Sequence, residues 1–155
     1  MSGHDSIGGH HRGYRGHSDE WLTPPHIIEA LGAFDLDPCV PETQPYPTAT
    51  YTFTKKDDGL TMPWDGRVWL NPPYGPETGR WLSRLAGHGN GIALIFARTE
   101  TKMFFEHVWD KATALVFIRG RIHFHHPDGT RAKANAGAPS VLVAYGNSNV
   151  ASLRA

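Results

Sequence analysis

The residues best suited to chemistry are Asn71, Pro72, Pro73 and Tyr74, which directly follow an apolar run. The Asn71 side-chain oxygen and the Pro72 carbonyl offer two acceptors, and consecutive prolines hold them at fixed angles. An aryl amine is a poor nucleophile because its lone pair is delocalised, and two fixed acceptors would draw it toward tetrahedral geometry. Tyr74 offers an aromatic face on which an extruded base can stack. The motif therefore predicts attack of an amine on a methyl donor, although these residues could simply form a stiff turn.

The elements that must position this motif alternate between helix and strand. Strands are predicted at 34–37, ending in a turn at Pro38 and Cys39, and at 50–54, 67–70, 92–96, 114–118 and 141–145. Helices are predicted from Pro24 to a stop at Gly32, around Trp81 to Leu85 with closure at Gly87, and at 103–108. The alternation predicts an α/β fold with a mainly parallel sheet and antiparallel final strands. In such sheets ligands bind beyond the carboxyl ends of the strands, where the motif lies.

Size and composition limit the possible architectures. The chain has 155 residues, 39% of them apolar, which suits one domain at 19–155 preceded by a flexible Gly/His-rich arm at 1–18. Fifteen basic residues balance fifteen acidic ones, so any contact with nucleic acid must come from a local patch. A single cysteine excludes an intramolecular disulfide. No apolar run is long enough to span a bilayer and no signal segment opens the chain, so we expect a cytoplasmic protein without a membrane partner.

Several ordered blocks of the sequence resemble the phage and prophage-type DNA N-6-adenine-methyltransferase (Dam-like) family. The resemblance covers most of the chain from Asp19 to Tyr145. Its blocks are Asp19-Glu20-Trp21-Leu22-Thr23-Pro24, Phe34-Asp35-Leu36-Asp37-Pro38-Cys39, Asp57-Asp58-Gly59-Leu60, Trp64-Asp65-Gly66-Arg67-Val68-Trp69-Leu70 with the motif after it, Ala97-Arg98-Thr99-Glu100-Thr101, Gly120-Arg121-Ile122-His123-Phe124 and Gly137-Ala138-Pro139-Ser140-Val141.

The resemblance implies an activity and a minimal form of a known fold. The activity is methyl transfer from S-adenosylmethionine to N6 of an adenine flipped out of double-stranded DNA. Asn71, Pro72, Pro73 and Tyr74 would be the catalytic residues. The fold would be a Rossmann-like S-adenosylmethionine-dependent methyltransferase fold. It would be a stripped-down version, because Asp37 and Asn71 are only 34 positions apart.

The resemblance also suggests which residues bind the cofactor. The run from Asp35 through Asp37 and Pro38 to Cys39 stands where such enzymes carry their first cofactor-binding motif. Trp21, Thr23 and Pro24 would complete the pocket, and Asp58 would meet the adenosine end of the cofactor or the turn beside it. The familiar glycine-rich continuation is absent, since 40–48 contains no glycine. Asp35 and Asp37 could instead cap nearby backbone amides.

The expected DNA contacts lie in the second half of the chain. We expect Arg98, Thr99, Arg119 and Arg121 to bind DNA, joined by Arg131 and Lys133, although exposed arginines commonly just face water. His123 and His125 would share one face of a strand. No spacing in the sequence supplies the further ligands of a zinc site, so we predict no metal.

Three other functions stay open at this point. The same motif also serves enzymes that methylate an RNA base or a protein glutamine. A non-catalytic DNA-binding relative would retain the fold without turnover, and the absent glycines favour it. A metal-dependent hydrolase would use the histidines. The sequence also leaves open whether the chain forms a homodimer.

Overall fold

A six-stranded sheet runs through the part of the protein that the computed structural model describes, residues 21–126, 128–132 and 136–154. The strands are β1 (Leu36–Val40), β2 (Tyr51–Thr54), β3 (Val68–Leu70), β4 (Gly91–Phe96), β5 (Ala114–Phe117) and β6 (Ser140–Tyr145). Their order is β2-β1-β3-β4-β6-β5. The first four strands run parallel to one another, whereas β6 is antiparallel to both β4 and β5. The predicted mixed α/β architecture, mainly parallel with an antiparallel C-terminal strand, is thus confirmed.

Helices cover both faces of the sheet. Helix α1 (Pro25–Leu31) packs on one face, where Ile28 and Leu31 join a buried cluster with Trp69 and Phe96. Helix α2 (Thr78–His88) packs on the other face through Trp81, Leu82 and Leu85. The short α3 (Lys102–Phe104) covers that same face and continues as a π-helical turn at Phe105–Trp109. No helix in the described ranges is both long and apolar enough to cross a membrane.

Two predicted boundaries are wrong. The strand expected to end at a Pro38-Cys39 turn continues through both residues to Val40. The pairing register of β1 with β2 shifts between Asp37 and Val40, and such an irregularity accommodates a proline, which cannot donate a ladder hydrogen bond. Helix α2 passes Gly87 and ends at Gly89, whose φ of 80° is the left-handed conformation that glycine adopts without a steric penalty.

The strand order reverses between β1 and β3. The chain goes from β1 to β2 on one side and then crosses to β3 on the other. The carboxyl ends of β1 and β3 therefore flank a topological switch point, the usual position of a ligand in an open α/β sheet. The predicted arm and Lys133 lie outside the described residues.

Candidate active site

Asn71 is the first residue after β3, and its side chain is held in one orientation. Nδ2 donates to the Trp21 carbonyl at 3.2 Å and to Thr23 Oγ1 at 3.1 Å. Two acceptors around one terminal atom identify it as the nitrogen, which leaves Oδ1 free to accept. Within the described part of the chain, Oδ1 accepts only from the Tyr74 hydroxyl, at 3.5 Å, which is too long for a strong hydrogen bond. The fold therefore presents Oδ1 as an acceptor of fixed direction.

The two prolines contribute backbone carbonyls but no N–H donors to the loop. Thr78 Oγ1, in the first turn of α2, donates to the Pro73 carbonyl at 2.6 Å and anchors the loop. Among the described residues, no hydrogen bond reaches the Pro72 carbonyl. The loop thus carries two acceptors with unused capacity, Asn71 Oδ1 and the Pro72 oxygen.

Tyr74 belongs to an aromatic cluster at the carboxyl end of β4. Its ring stacks on Phe96 with centroids 4.4 Å apart and an interplanar angle of 11°. The Phe124 ring meets it edge-on at 6.4 Å. Burial raises the pKa of Tyr74 well above its ordinary value, so the phenol stays neutral. One face of the ring is therefore used for packing on Phe96.

A cavity of about 330 Å³ opens at the carboxyl ends of β1, β2 and β3. The loop that follows β3 contributes Asn71 and Pro73 to its wall. Six of the eight residues predicted to bind cofactor line it together, namely Trp21, Thr23, Asp37, Pro38, Cys39 and Asp58.

The other two, Pro24 and Asp35, lie outside this cavity. Pro24 caps the start of α1 and faces a different groove. Asp35 precedes β1 at the opposite end of the strand, where Oδ2 accepts from the Arg67 N–H at 2.7 Å. Asp35 therefore caps a backbone amide, as the sequence allowed, and it lies outside the cavity.

Asp37 is the buried charged group of the cavity, with 4% of its surface exposed. Oδ2 accepts from Thr48 Oγ1 at 2.6 Å, and Oδ1 accepts from the Cys39 N–H at 3.2 Å. Burial raises the pKa of Asp37 to about 6, although both hydrogen bonds lower it. A carboxylate desolvated in this way gains most from a ligand that brings a cationic or strongly donating group.

Cys39 connects the two strands that flank the switch point. Its Sγ donates to the Asn71 carbonyl at 3.3 Å. Burial, together with the charge of Asp37, raises the pKa of the thiol well above its ordinary value. A thiol held in its protonated form is a poor nucleophile, so Cys39 is suited to packing rather than to covalent chemistry.

Gly59 is one of the residues of this site that the sequence patterns did not identify. A Cβ at this position would lie 2.0 Å from the Pro38 carbonyl oxygen, so only glycine allows the turn after β2 to approach β1. Gly59 thus allows two protein segments to pack closely, which differs from the approach to a cofactor that the glycine-rich motif provides. The sequence feature that could have indicated this turn is the Asp58-Gly59 dipeptide, which is typical of tight turns. Thr48, Lys55, Arg80 and Trp81 also line the cavity without having been predicted.

The four predicted DNA-binding residues form two separate groups. Arg98 and Thr99 follow β4, and the Arg98 guanidinium lies 5.7 Å from the Phe96 ring beside Tyr74. Arg119 and Arg121 follow β5 and line a groove on the face of α1, where Arg121 donates to the Gly137 carbonyl at 3.2 Å.

The histidines predicted to share a face lie along the same groove as Arg119 and Arg121. Both His123 and His125 line it. Within the described ranges, no three His, Cys, Asp or Glu side chains are grouped to hold a metal ion.

Comparison with known proteins adds to this geometry. The family model described as DNA N-6-adenine-methyltransferase (Dam) matches residues 13–151, which is most of the chain and includes the whole sheet. No curated protein matches the chain. The matched segment contains the Asn71 loop and every cavity residue described above. The chain therefore belongs to the DNA N-6-adenine-methyltransferase (Dam) family.

Proposed function

We propose that the protein methylates N6 of adenine in double-stranded DNA, using S-adenosylmethionine and a base flipped out of the helix. The observation that carries this proposal is the fixed orientation of the Asn71 amide. Trp21 and Thr23 hold Nδ2, so Oδ1 and the Pro72 carbonyl remain as acceptors for an exocyclic amine. Family membership supports adenine as the base.

The cavity beside Asn71 fits the proposed cofactor in its chemistry. Its volume of about 330 Å³ lies within the range of small-ligand sites. Asp37 would accept from a donor of the amino-acid part, Asp58 from the ribose hydroxyls, and Leu60 with Trp81 would pack on the adenine. Bound there, S-adenosylmethionine supplies an electrophilic methyl group on its sulfonium. The fold would then be a minimal Rossmann-like methyltransferase fold, with short 3-10 turns after β2 in place of longer helices.

The protein's own residues would position and activate the target base. The base would stack on the Tyr74 ring, one face of which packs on Phe96. Asn71 Oδ1 and the Pro72 oxygen accept hydrogen bonds from the two N6–H groups. These bonds draw the nitrogen toward tetrahedral geometry, so its lone pair becomes available. The product ammonium is acidic and loses a proton without a strong base. Arg98 and Thr99 would contact DNA beside this base, and Arg119 and Arg121 would contact it from the groove on the face of α1.

The test of this proposal is the substitution Asn71→Ala. We expect it to abolish methyl transfer to adenine-containing DNA while S-adenosylmethionine still binds in isothermal titration. Asn147→Ala is the matched control, because Asn147 is exposed in a turn after β6. Mapping of modified bases in random-sequence DNA identifies the base and its sequence context. Undiminished methylation by Asn71→Ala, or no binding of S-adenosylmethionine by the unaltered protein, would overturn the proposal.

A further inference from the structure

A second concave surface lies on the face of the sheet that carries α1. It is a groove of about 610 Å³ between α1, the end of β5 and the segment 121–125. Its floor includes the half-buried apolar side chains Ile27, Val116, Ile118 and Leu153. This apolar surface is accessible to solvent. A ligand that covers it removes apolar area from water, which contributes favourable binding free energy.

The rim of the groove is cationic. Arg119, Arg121 and Arg131 line it together with His123 and His125, and none of the described lining residues is acidic. No hydrogen bond or ion pair from the described residues engages the side chains of Arg119 and Arg131, both of which are exposed. In a chain of balanced charge, such a one-signed rim selects for an anionic ligand.

The groove is one chain segment away from the proposed target base. Phe124 turns its ring to Tyr74, while its neighbours His123 and His125 line the groove. The backbone of His125 exchanges two hydrogen bonds with Leu22, at 2.8 and 2.9 Å, next to the residues that hold Asn71. A ligand in the groove therefore lies beside the catalytic loop.

We propose that this groove binds unpaired nucleotides of the DNA substrate next to the flipped adenine, an inference that rests on the proposed function. Phosphates would pair with the arginines, and base faces would cover the apolar floor. Paired DNA could present only its phosphates to the groove, because its base faces are already stacked on one another inside the double helix. Only an unpaired strand matches both the charged rim and the apolar floor.

The experiment compares two labelled DNA duplexes by fluorescence anisotropy over a series of salt concentrations. One duplex is fully paired, and the other lacks part of one strand beside the adenine. We expect the unaltered protein to bind the gapped duplex more tightly. The double variant R119Q/R131Q should lose this preference, and its dependence of log affinity on log salt should become shallower by about two units.

Two further variants separate charge from apolar contact. Val116→Thr keeps the shape of a floor side chain and should weaken the preference for gapped DNA without changing the salt dependence. Lys111→Gln removes an exposed charge from the end of the π-helical turn, on the other face of the sheet, and should behave like the unaltered protein.

Two results would overturn the proposal. One is equal affinity of the unaltered protein for the two duplexes. The other is a salt dependence of R119Q/R131Q equal to that of Lys111→Gln, as expected if the groove holds an acidic peptide instead. Binding of S-adenosylmethionine by each variant verifies its fold. Methylation by the unaltered protein, measured in parallel, reports on the proposed function independently of the groove.

Discussion

Thr23 and Asn71, 48 positions apart in sequence, are joined by a hydrogen bond of 3.1 Å from Asn71 Nδ2 to Thr23 Oγ1. Both residues line the cavity at the switch point. The Tyr46 hydroxyl fixes the same segment by donating to the Thr23 carbonyl at 2.6 Å. The direction of Asn71 Oδ1 is thus determined by a segment that precedes α1 and not by its own loop alone.

Thr23→Val should therefore lower kcat, because it removes one of the two acceptors that orient the Asn71 amide while keeping the side-chain shape. We expect a decrease of about tenfold to a hundredfold, and recovery in Thr23→Ser, which retains the acceptor. The measurement is single-turnover methylation at saturating DNA and S-adenosylmethionine. A Thr23→Val protein with full kcat would show that the Trp21 carbonyl alone orients the amide.

Tyr74 should act through its ring and not through its hydroxyl. The hydroxyl is 3.5 Å from Asn71 Oδ1, so Tyr74→Phe should change kcat/KM for DNA by no more than about twofold. Tyr74→Ala removes the stacking surface and should lower kcat/KM by about tenfold or more. Steady-state kinetics with varied DNA distinguish the two. Equal losses in both variants would assign the function to the hydroxyl.

Asp37 should make the stability of the ligand-free protein depend on pH. Burial raises its pKa to about 6, so the folded state binds a proton that the unfolded state has already released at that pH. Unfolding free energy should therefore decrease as pH rises from about 4 to about 6, by up to about 3 kcal/mol.

Urea denaturation at a series of pH values tests this dependence. Asp37→Asn should flatten it and should be the more stable protein at neutral pH. The same variant should bind S-adenosylmethionine more weakly, because it lacks the carboxylate. A pH profile unchanged by Asp37→Asn would mean that another group causes the dependence.

Gly59→Ala and Gly87→Ala should have opposite effects on stability. At Gly59 the new methyl group would lie 2.0 Å from the Pro38 carbonyl oxygen, so backbone must move, at a cost of about 2 to 4 kcal/mol. At Gly87, inside α2, nothing lies within 4 Å, and alanine should stabilise by roughly 0.5 to 1 kcal/mol. Chemical denaturation measures both, and titration with S-adenosylmethionine should show weaker binding only for Gly59→Ala.

Arg67 should be important for stability. Its guanidinium donates to the Leu31 and Ala33 carbonyls, to Asn149 Oδ1 and to Ser152 Oγ, and it lies 4.1 Å from the centre of the Phe34 ring. Arg67→Ala should cost about 2 to 4 kcal/mol by leaving these acceptors without their donor. The exposed Arg154 provides the control, whose alanine variant should stay within about 0.5 kcal/mol of the unaltered protein.

The sequence patterns identified all six strands of the described sheet and placed the Asn71 loop directly after a strand. Apolar runs such as 92–96 are buried on both faces of the sheet, and prolines after Leu70 stop the strand where the site begins. Local sequence patterns were less informative about where strands and helices end. Pro38 continues a strand and Gly87 continues a helix, because the neighbouring strand register and the packing of Leu85 outweigh local preferences.

The cavity was predicted in part because some of its contacts are local and others are long-range. Asp37 and Asn71 lie at strand ends, which periodicity locates. Thr48 and Lys55 lie in or beside an irregular connection with no periodicity, and their position depends on how that connection folds back on β1. Asp35 shows the opposite case, because it precedes β1 at the far end of the strand from the cavity, where its carboxylate accepts from the Arg67 backbone N–H.

The position of β6 between β4 and β5 has a consequence for synthesis of the protein. During synthesis β5 leaves the ribosome before β6. Because β6 is the strand with which β5 pairs, β5 has no neighbour in the sheet until β6 has emerged. The segment that carries Phe124 to Tyr74 connects these same two strands. Because the interior strand β6 follows this segment in the chain, the part of the sheet that supports the aromatic cluster is completed late in folding.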